Sequence, residues 1–231
     1  MLISIIIPTL NNEEIIAASL AQLSEQPGDF EVIVVDGGSV DNTLSLVKAQ
    51  AAIIPLPDAV GGALLNAGAS AARGAVLLFL WPENRLPPDA LLAIEQNLKL
   101  LPQTVGGNFH LKFDEETLFT RWLAHRFKRQ RYKGYYFGNS GLFIRREVLQ
   151  ALGGFRPYEI LADYDLARRM ERYGSTVYLP EAITTSTSKF RGPHQLKAAL
   201  LWLVIPGLFR LGVHPNRLAR LSRLITLTLP T

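Results

Sequence analysis

The segment Phe30–Thr43, FEVIVVDGGSVDNT, holds the residues best suited to gripping a polar ligand. An apolar run, Val32–Val35, ends in the carboxylate of Asp36. Gly37, Gly38 and Ser39 follow, and then Asp41 and Asn42 can open a helix. An unbroken apolar run marks a strand buried on both faces, and the glycines mark a tight polar turn. At the carboxyl end of such a strand a carboxylate can grip a ribose or a base edge, while glycine lets a ligand approach the backbone. Taken alone, the turn fits equally well with Asp41 as a simple helix cap. A second turn of the same kind lies upstream. Leu2–Ile7 runs into Pro8, and Thr9, Asn11, Asn12, Glu13 and Glu14 follow. Pro8 lacks an N–H and suits a strand end. Asn12 suits an N-cap, with acids in the first helical turn. Two consecutive strands thus present polar loops on one edge.

Those loops need a sheet to hold them. The pattern predicts strands Leu2–Pro8, Glu31–Asp36, Ala52–Leu56 and Val76–Leu80, alternating with helices Glu13–Ser24, Asn42–Ala49, Gly61–Ala72 and Asp89–Leu101. Short connections between them fit a doubly wound parallel sheet. Further on it predicts a strand at Val105–Phe113 and a helix at Glu116–Arg131, with Leu118, Trp122 and His125 near one face. A strand at Gly141–Ile144 and a short helix ending at Gly153–Gly154 follow. Next come a helix at Asp163–Tyr173, lined by Leu166, Met170 and Tyr173, and a short strand at Val177–Leu179. Asp163 is also a natural N-cap for its helix. Ala198–Ile205 is apolar on all sides and is broken by Pro206–Gly207, far short of the ~20 residues that span a bilayer. Asn216–Leu229 is amphipathic, with Leu218, Leu221 and Ile225 opposite Arg217, Arg220 and Arg223. Such a helix either packs over the sheet edge or lies on a membrane surface.

The chain has 231 residues and no cysteine, which excludes a disulfide frame and Cys-ligated zinc. Met1 leads straight into a strand, so no signal peptide is expected. The expected location is cytoplasmic, or peripheral on the inner face of the membrane. Residues 1–115 carry a net charge of −8 and residues 116–231 a net of +12. No acid follows Glu181, whereas seven basic residues do. This basic half fits an anionic partner such as a diphosphate or an anionic lipid, or neutralisation of one half by the other. No nucleic-acid-binding motif is present, so nucleic acid is not an expected partner.

SIIIPTLNNEE followed by VIVVDGGSVDNT resembles the nucleotide-binding half of family 2 glycosyltransferases with the GT-A fold. LLNAGASAARGAVLLFL, GYYFGNSGLFIRREVLQALGGF and LADYDLARRMERYG extend the resemblance over about Leu2–Leu179, and the small size is similar to compact bacterial single-domain members. The resemblance implies an α/β, GT-A-like fold with a mostly parallel central sheet flanked by helices. The domain would cover 1–193, with a nucleotide-binding half (1–101) and an acceptor half (102–193). Basic, apolar C-terminal helices (194–231) would follow. It implies inverting transfer of a sugar from a nucleotide-diphosphate donor, a UDP-sugar foremost, to an acceptor hydroxyl.

Residue by residue, Pro8, Thr9, Asn11, Glu13, Asp36 and Gly38 match family positions that contact the base and ribose, and Asn66 in LLNAGA matches one near the nucleotide. The family's acidic motif after the fourth strand holds Mg²⁺ or Mn²⁺. In LFLWPENRLPPDAL, Glu83 takes the metal position and Trp81 replaces a residue that is commonly His or Asp. In ILADYDL, Asp163 matches the catalytic base, and Ala162 stands where Glu is usual. The late loop TSTSKFRG retains Lys189 and Arg191, either of which could reach a phosphate. No Arg or Lys precedes Asn66-Ala-Gly, and Asn139 and Ser140 replace the Asp and Gln of close relatives. These departures keep open a second class, a non-catalytic or weakly catalytic nucleotide-binding relative with a regulatory or scaffold role. A dinucleotide-dependent oxidoreductase is excluded, because PTLNNEE and not a G-x-G-x-x-G turn follows the first strand.

Overall fold

The computed structural model describes residues 1–48, 50–187 and 195–227. Its strands are β1 (Ile3–Thr9), β2 (Phe30–Asp36), β3 (Ala52–Pro55), β4 (Val76–Phe79), β5 (Asn84–Arg85), β6 (Gly106–Phe113), β7 (Leu142–Arg145) and β8 (Thr176–Thr185). Its helices are α1 (Glu13–Ala21), α2 (Thr43–Val47), α3 (Gly62–Ala71), α4 (Ala90–Leu100), α5 (Leu118–Arg131), α6 (Arg146–Ala151), α7 (Ala162–Tyr173), α8 (Gln195–Arg210) and α9 (Pro215–Leu227). The strands form one sheet in the order β3-β2-β1-β4-β7-β6-β8-β5. β3, β2, β1 and β4 run parallel, β7 is antiparallel to both of its neighbours, and β6 and β8 pair in parallel. The sheet is therefore continuous from the strands of the first half, β1 to β5, to those of the second, β6 to β8.

Period-two alternation divides the core between the two faces of this sheet. Ile3, Ile5, Ile7, Val76 and Leu78 point to one side, where Ile16 and Leu20 of α1, Ile94 and Leu98 of α4 and Leu123 of α5 cover them. Ile6, Ile33, Leu77 and Phe79 point to the other, under Leu64 and Leu65 of α3 and Leu166 and Met170 of α7. Both faces are apolar and covered, which explains the unbroken runs in β1, β2 and β4. On α5 the buried residues include Leu123, whereas the predicted face turns outward, with Leu118 85% and Trp122 49% exposed.

Three local expectations are corrected. The last strand does not end at Leu179. It runs to Thr185, and its pairing with β6 slips between Phe109 and His110, which face Leu179 and Ala182. Pro180 and Glu181 form the bulge, because proline gives no ladder N–H and a bulge tolerates that loss. Pro206 does not break the tail, since α8 continues through it to Arg210. An interior proline costs about 3 kcal/mol. Packing offsets that cost, as Ile205 is buried and the Phe209 ring meets Tyr158 and Tyr164. Asp163 is not the N-cap of α7. Leu161 holds that place in the left-handed region at φ 62°, and Asp163 lies inside the first turn.

Candidate active site

β1 and β2 pair so that Thr9 stands opposite Asp36, and the loops leaving them are stitched together. Asn11 N–H donates to Ser39 Oγ at 2.9 Å, and Val40 N–H donates to Asn11 Oδ1 at 3.0 Å. Asn12 N–H donates to Thr43 Oγ1 at 2.8 Å. Glu13 Oε2 accepts from the backbone N–H and the side-chain amide of Asn42, at 2.9 and 2.8 Å. Asn11 reaches this geometry at φ 50°, a conformation that asparagine tolerates. Within its own turn Asp36, 1% exposed, accepts from Gly38 N–H at 2.9 Å, Ser39 N–H at 2.8 Å and Ser39 Oγ at 2.5 Å. Gly38 makes that turn possible at φ 104°. Asp36 therefore closes its own turn, and through Ser39 it fixes the loop that carries Asn11. Asp41 accepts from Thr43 and Glu13; burial raises its pKa, and these bonds hold it below the ordinary carboxylate value.

A cleft of about 650 Å³ opens at this edge. Asn11, Asn12, Glu13, Glu14, Asp41, Glu83, Arg85 and Asp114 line it, with Thr184–Ser186. Of the sequence-predicted residues, Asn11, Glu13 and Glu83 line the cleft directly. Pro8, Thr9, Asp36 and Gly38 are not part of that lining; they lie in β1, in β2 and in the turn after β2. Asn66 is elsewhere on α3, where its amide donates to Phe155 O and accepts from Phe155 N–H, both at 2.8 Å. It ties α3 to the loop after α6. Lys189 and Arg191 lie outside the described residues. Sequence reasoning passed over Asp114. Its carboxylate accepts from Thr187 N–H at 2.8 Å; burial raises its pKa, but this bond and others hold it below the ordinary value. Its signal was weak, one acid in a run of three ending β6.

Glu83 is positioned through its neighbour. Asn84 is fully buried. Its side chain donates to Asn139 O at 2.7 Å and accepts from Thr185 Oγ1 at 3.0 Å, and its backbone O accepts from Gln22 at 2.7 Å. The loop after β4 is thereby pinned to β8, the turn after α1 and the 137–141 segment. That segment carries Gly138, whose N–H donates to Asp163 Oδ2 at 2.5 Å. A Cβ on Gly138 would lie 2.1 Å from the Trp81 ring and 2.9 Å from Asp163 Oδ2. Gly138 thus lies between Trp81, two residues along the chain from Glu83, and Asp163. From beneath, Arg131 donates to Asn108 at 2.5 Å, and Asn108 donates to Ser140 at 3.0 Å. Burial pushes the Asp163 carboxyl above the ordinary value, and the backbone N–H groups of Gly138, Tyr164 and Asp163 offset only part of that shift. A raised carboxylate pKa is the direction that strengthens a carboxylate as a proton acceptor.

Among the described residues no three His, Cys, Asp or Glu side chains gather as a metal cage. The donor set still fits Mg²⁺ or Mn²⁺. Such ions accept one or two hard carboxylate oxygens and complete their shell with waters and substrate phosphates. Five carboxylates against the single guanidinium of Arg85 in the described lining would repel a bare diphosphate, and a divalent ion would remove that repulsion.

The sequence model of glycosyl transferase family 2 matches residues 4–153. A PGL/p-HBAD biosynthesis glycosyltransferase of Mycobacterium bovis (strain BCG / Pasteur 1173P2) is 29% identical over 187 residues, covering 70% of this chain and 66% of that protein. The chain thus spans just under two thirds of this relative's length. Among solved structures, the mannosyltransferase PcManGT from Pyrobaculum calidifontis, in complex with GDP-Man and Mn²⁺, superposes with a TM-score of 0.67 at 20% identity, over 98% of this chain and 70% of that one. S. aureus TarS 1-349 in complex with UDP-GlcNAc gives 0.65 at 18% identity, over 85% and 61%. These likenesses show the GT-A fold. With the family model spanning well over half of its length, the chain belongs to glycosyl transferase family 2.

Proposed function

We propose that this chain transfers a sugar from a nucleotide-diphosphate donor to an acceptor hydroxyl with inversion. The observation that carries the reading is the junction of the Glu83 loop and Asp163 through Trp81, Gly138 and Asn84. The donor's base and ribose would lie on the stitched loops of Asn11, Glu13 and Gly38. Glu83, with the donor's own phosphates, would hold Mg²⁺ or Mn²⁺, and the bound ion would neutralise the leaving diphosphate. Asp163 would take the proton of the acceptor hydroxyl. The acceptor oxygen then forms its bond to the anomeric carbon as the bond to the diphosphate breaks on the opposite face. Neighbours of this fold bind UDP, UDP-GlcNAc and GDP-Man, which supports a nucleotide-sugar donor, with a UDP-sugar first. Peripheral contact with an anionic membrane belongs to the same reading. α9 buries Leu218 and Ala219 but leaves Arg217, Arg220 and Leu221 exposed, and no described helix is long and apolar enough to cross a membrane.

Calorimetry of UDP binding with and without Mn²⁺ tests it. Mn²⁺ should tighten UDP, Glu83→Gln should abolish that coupling, and Glu83→Asp should retain it. By linkage UDP must tighten Mn²⁺ by the same factor. Trp81 and Ala162, which stand where the family commonly carries His or Asp and Glu, favour a second reading in which a nucleotide binds and no transfer follows. UDP affinity that ignores Mn²⁺ would put that reading first.

A further inference from the structure

Beside Asp163, around Tyr164 of α7, positive charge collects without a counter-charge among the described residues. Tyr164 stacks on Tyr135, ring centroids 5.8 Å apart and 14° from parallel. Arg210 of α8 lies 5.0 Å, and Arg168 of α7 5.5 Å, from the centre of the Tyr135 ring. Arg168 also lies 5.6 Å from the Phe209 ring. Burial pushes the Tyr164 phenol up to about 12, and the charges of Arg210, Arg168 and Arg126 act on it in the opposite direction. Among the described residues none of these three arginines pairs with a carboxylate, in a fold where Arg131, Arg156, Arg169 and Arg223 all do. Two polar atoms here, Arg126 Nε and Tyr164 Oη, are buried with no hydrogen-bond partner among the described residues.

Three guanidinium groups repel one another, and their donors are built for phosphate oxygens. Buried donors without partners are uncommon and mark a missing acceptor. We propose that Arg126, Arg168 and Arg210, with the Tyr164 hydroxyl, form a subsite for a phosphate group carried by the acceptor. The proposal rests on the reading of Asp163 as the base. It gives the acceptor an anionic anchor one residue along α7 from the group that takes its proton. Either a lipid phosphate or a soluble phosphate ester offers this chemistry.

The test uses the full chain and n-octyl phosphate below its micellar concentration, followed by calorimetry. Octyl phosphate should bind saturably and octyl glucoside should not. Arg168→Gln/Arg210→Gln should weaken octyl phosphate by about tenfold or more, the loss of two charge-assisted contacts. UDP with Mn²⁺ should bind both proteins alike and should not displace octyl phosphate. Should the double variant fail to fold, Arg210→Gln alone carries the test, because that side chain is exposed. Unchanged affinity in a folded variant, or equal binding of octyl glucoside, overturns the subsite. Displacement by UDP would place the donor's diphosphate there and overturn the acceptor assignment. Binding of phosphatidylglycerol vesicles without octyl phosphate would make the arginines a membrane surface and also overturn it. Failure of UDP to bind while octyl phosphate does would remove the donor reading and leave the anion site standing.

Discussion

At the scale of single residues, Asp163 links stability and proton transfer with opposite signs. Its pKa is raised in the fold, by burial first. A group raised in this way contributes stability below its unfolded value, near 3.8, and that contribution is lost as pH climbs through the folded value. Asp163→Asn should therefore gain thermal stability at neutral pH relative to the parent, lose the gain in acid, and fail to transfer sugar. Melting curves across pH check the first two, and a transfer assay the third. Gly138→Ala should act differently. Its Cβ meets Trp81 and Asp163 at distances that no real contact allows. Overpacking costs roughly 1–3 kcal/mol, and any transfer activity should fall more steeply than the melting point does. Asp36 and Asn66 show what one residue's sequence context can and cannot reveal. Asp36 was marked by its loop and Asn66 by the LLNAGA motif on a helix, both as nucleotide contacts, and the structure finds each tied to protein groups. Whether a carboxylate faces a ligand or closes its own turn depends on atoms a few ångströms apart, and the letters DGGS are compatible with either.

Among the elements, β1, β2, β4 and α3 were legible because each is a local pattern bounded by Pro, Gly or Asn. β5 was not. It is two residues long and exists only because Asn84 and Arg85 meet Thr185 and Thr184 a hundred positions away. Its partner's length was hidden for a related reason, since Pro180 reads as an ending until a bulge absorbs it. Pro206 gave the converse error, where packing of Phe209 overrode a strong local breaker. Asn84 is the point at which these hidden contacts converge on the cleft. Asn84→Ala should leave the Thr185 hydroxyl and the Asn139 carbonyl without their partner and cost roughly 1–3 kcal/mol. It should also weaken the effect of Mn²⁺ on UDP binding, because the strand that carries Glu83's neighbour is no longer pinned. Unchanged coupling in calorimetry would show that Glu83 does not depend on this tie.

For the whole molecule, the charge imbalance visible in the composition has a physical address. Five acids of the first half line the cleft, and Arg168 and Arg210 of the second half gather on the Tyr164 side of α7. The C-terminal helices close that side, through the Tyr158 and Tyr164 contacts with Phe209 and through Arg223 paired to Glu159 at 2.8 Å. Removing the chain from Gln195 onward should expose these rings and lower the melting temperature by several degrees, at roughly 2–4 °C per kcal/mol for a domain of this size. An unchanged melt would show that the helices ride on a fold complete without them. Trp81 bears on the molecule as a whole, since it stands where the cleft loop, the 137–141 segment and α7 touch. An indole in that position is a native optical reporter. With Trp122→Phe and Trp202→Phe, Trp81 becomes the chain's sole tryptophan. Its emission should then change as UDP and Mn²⁺ enter on one side, and change separately as octyl phosphate enters on the other, so that one chromophore follows the filling of both sites in time.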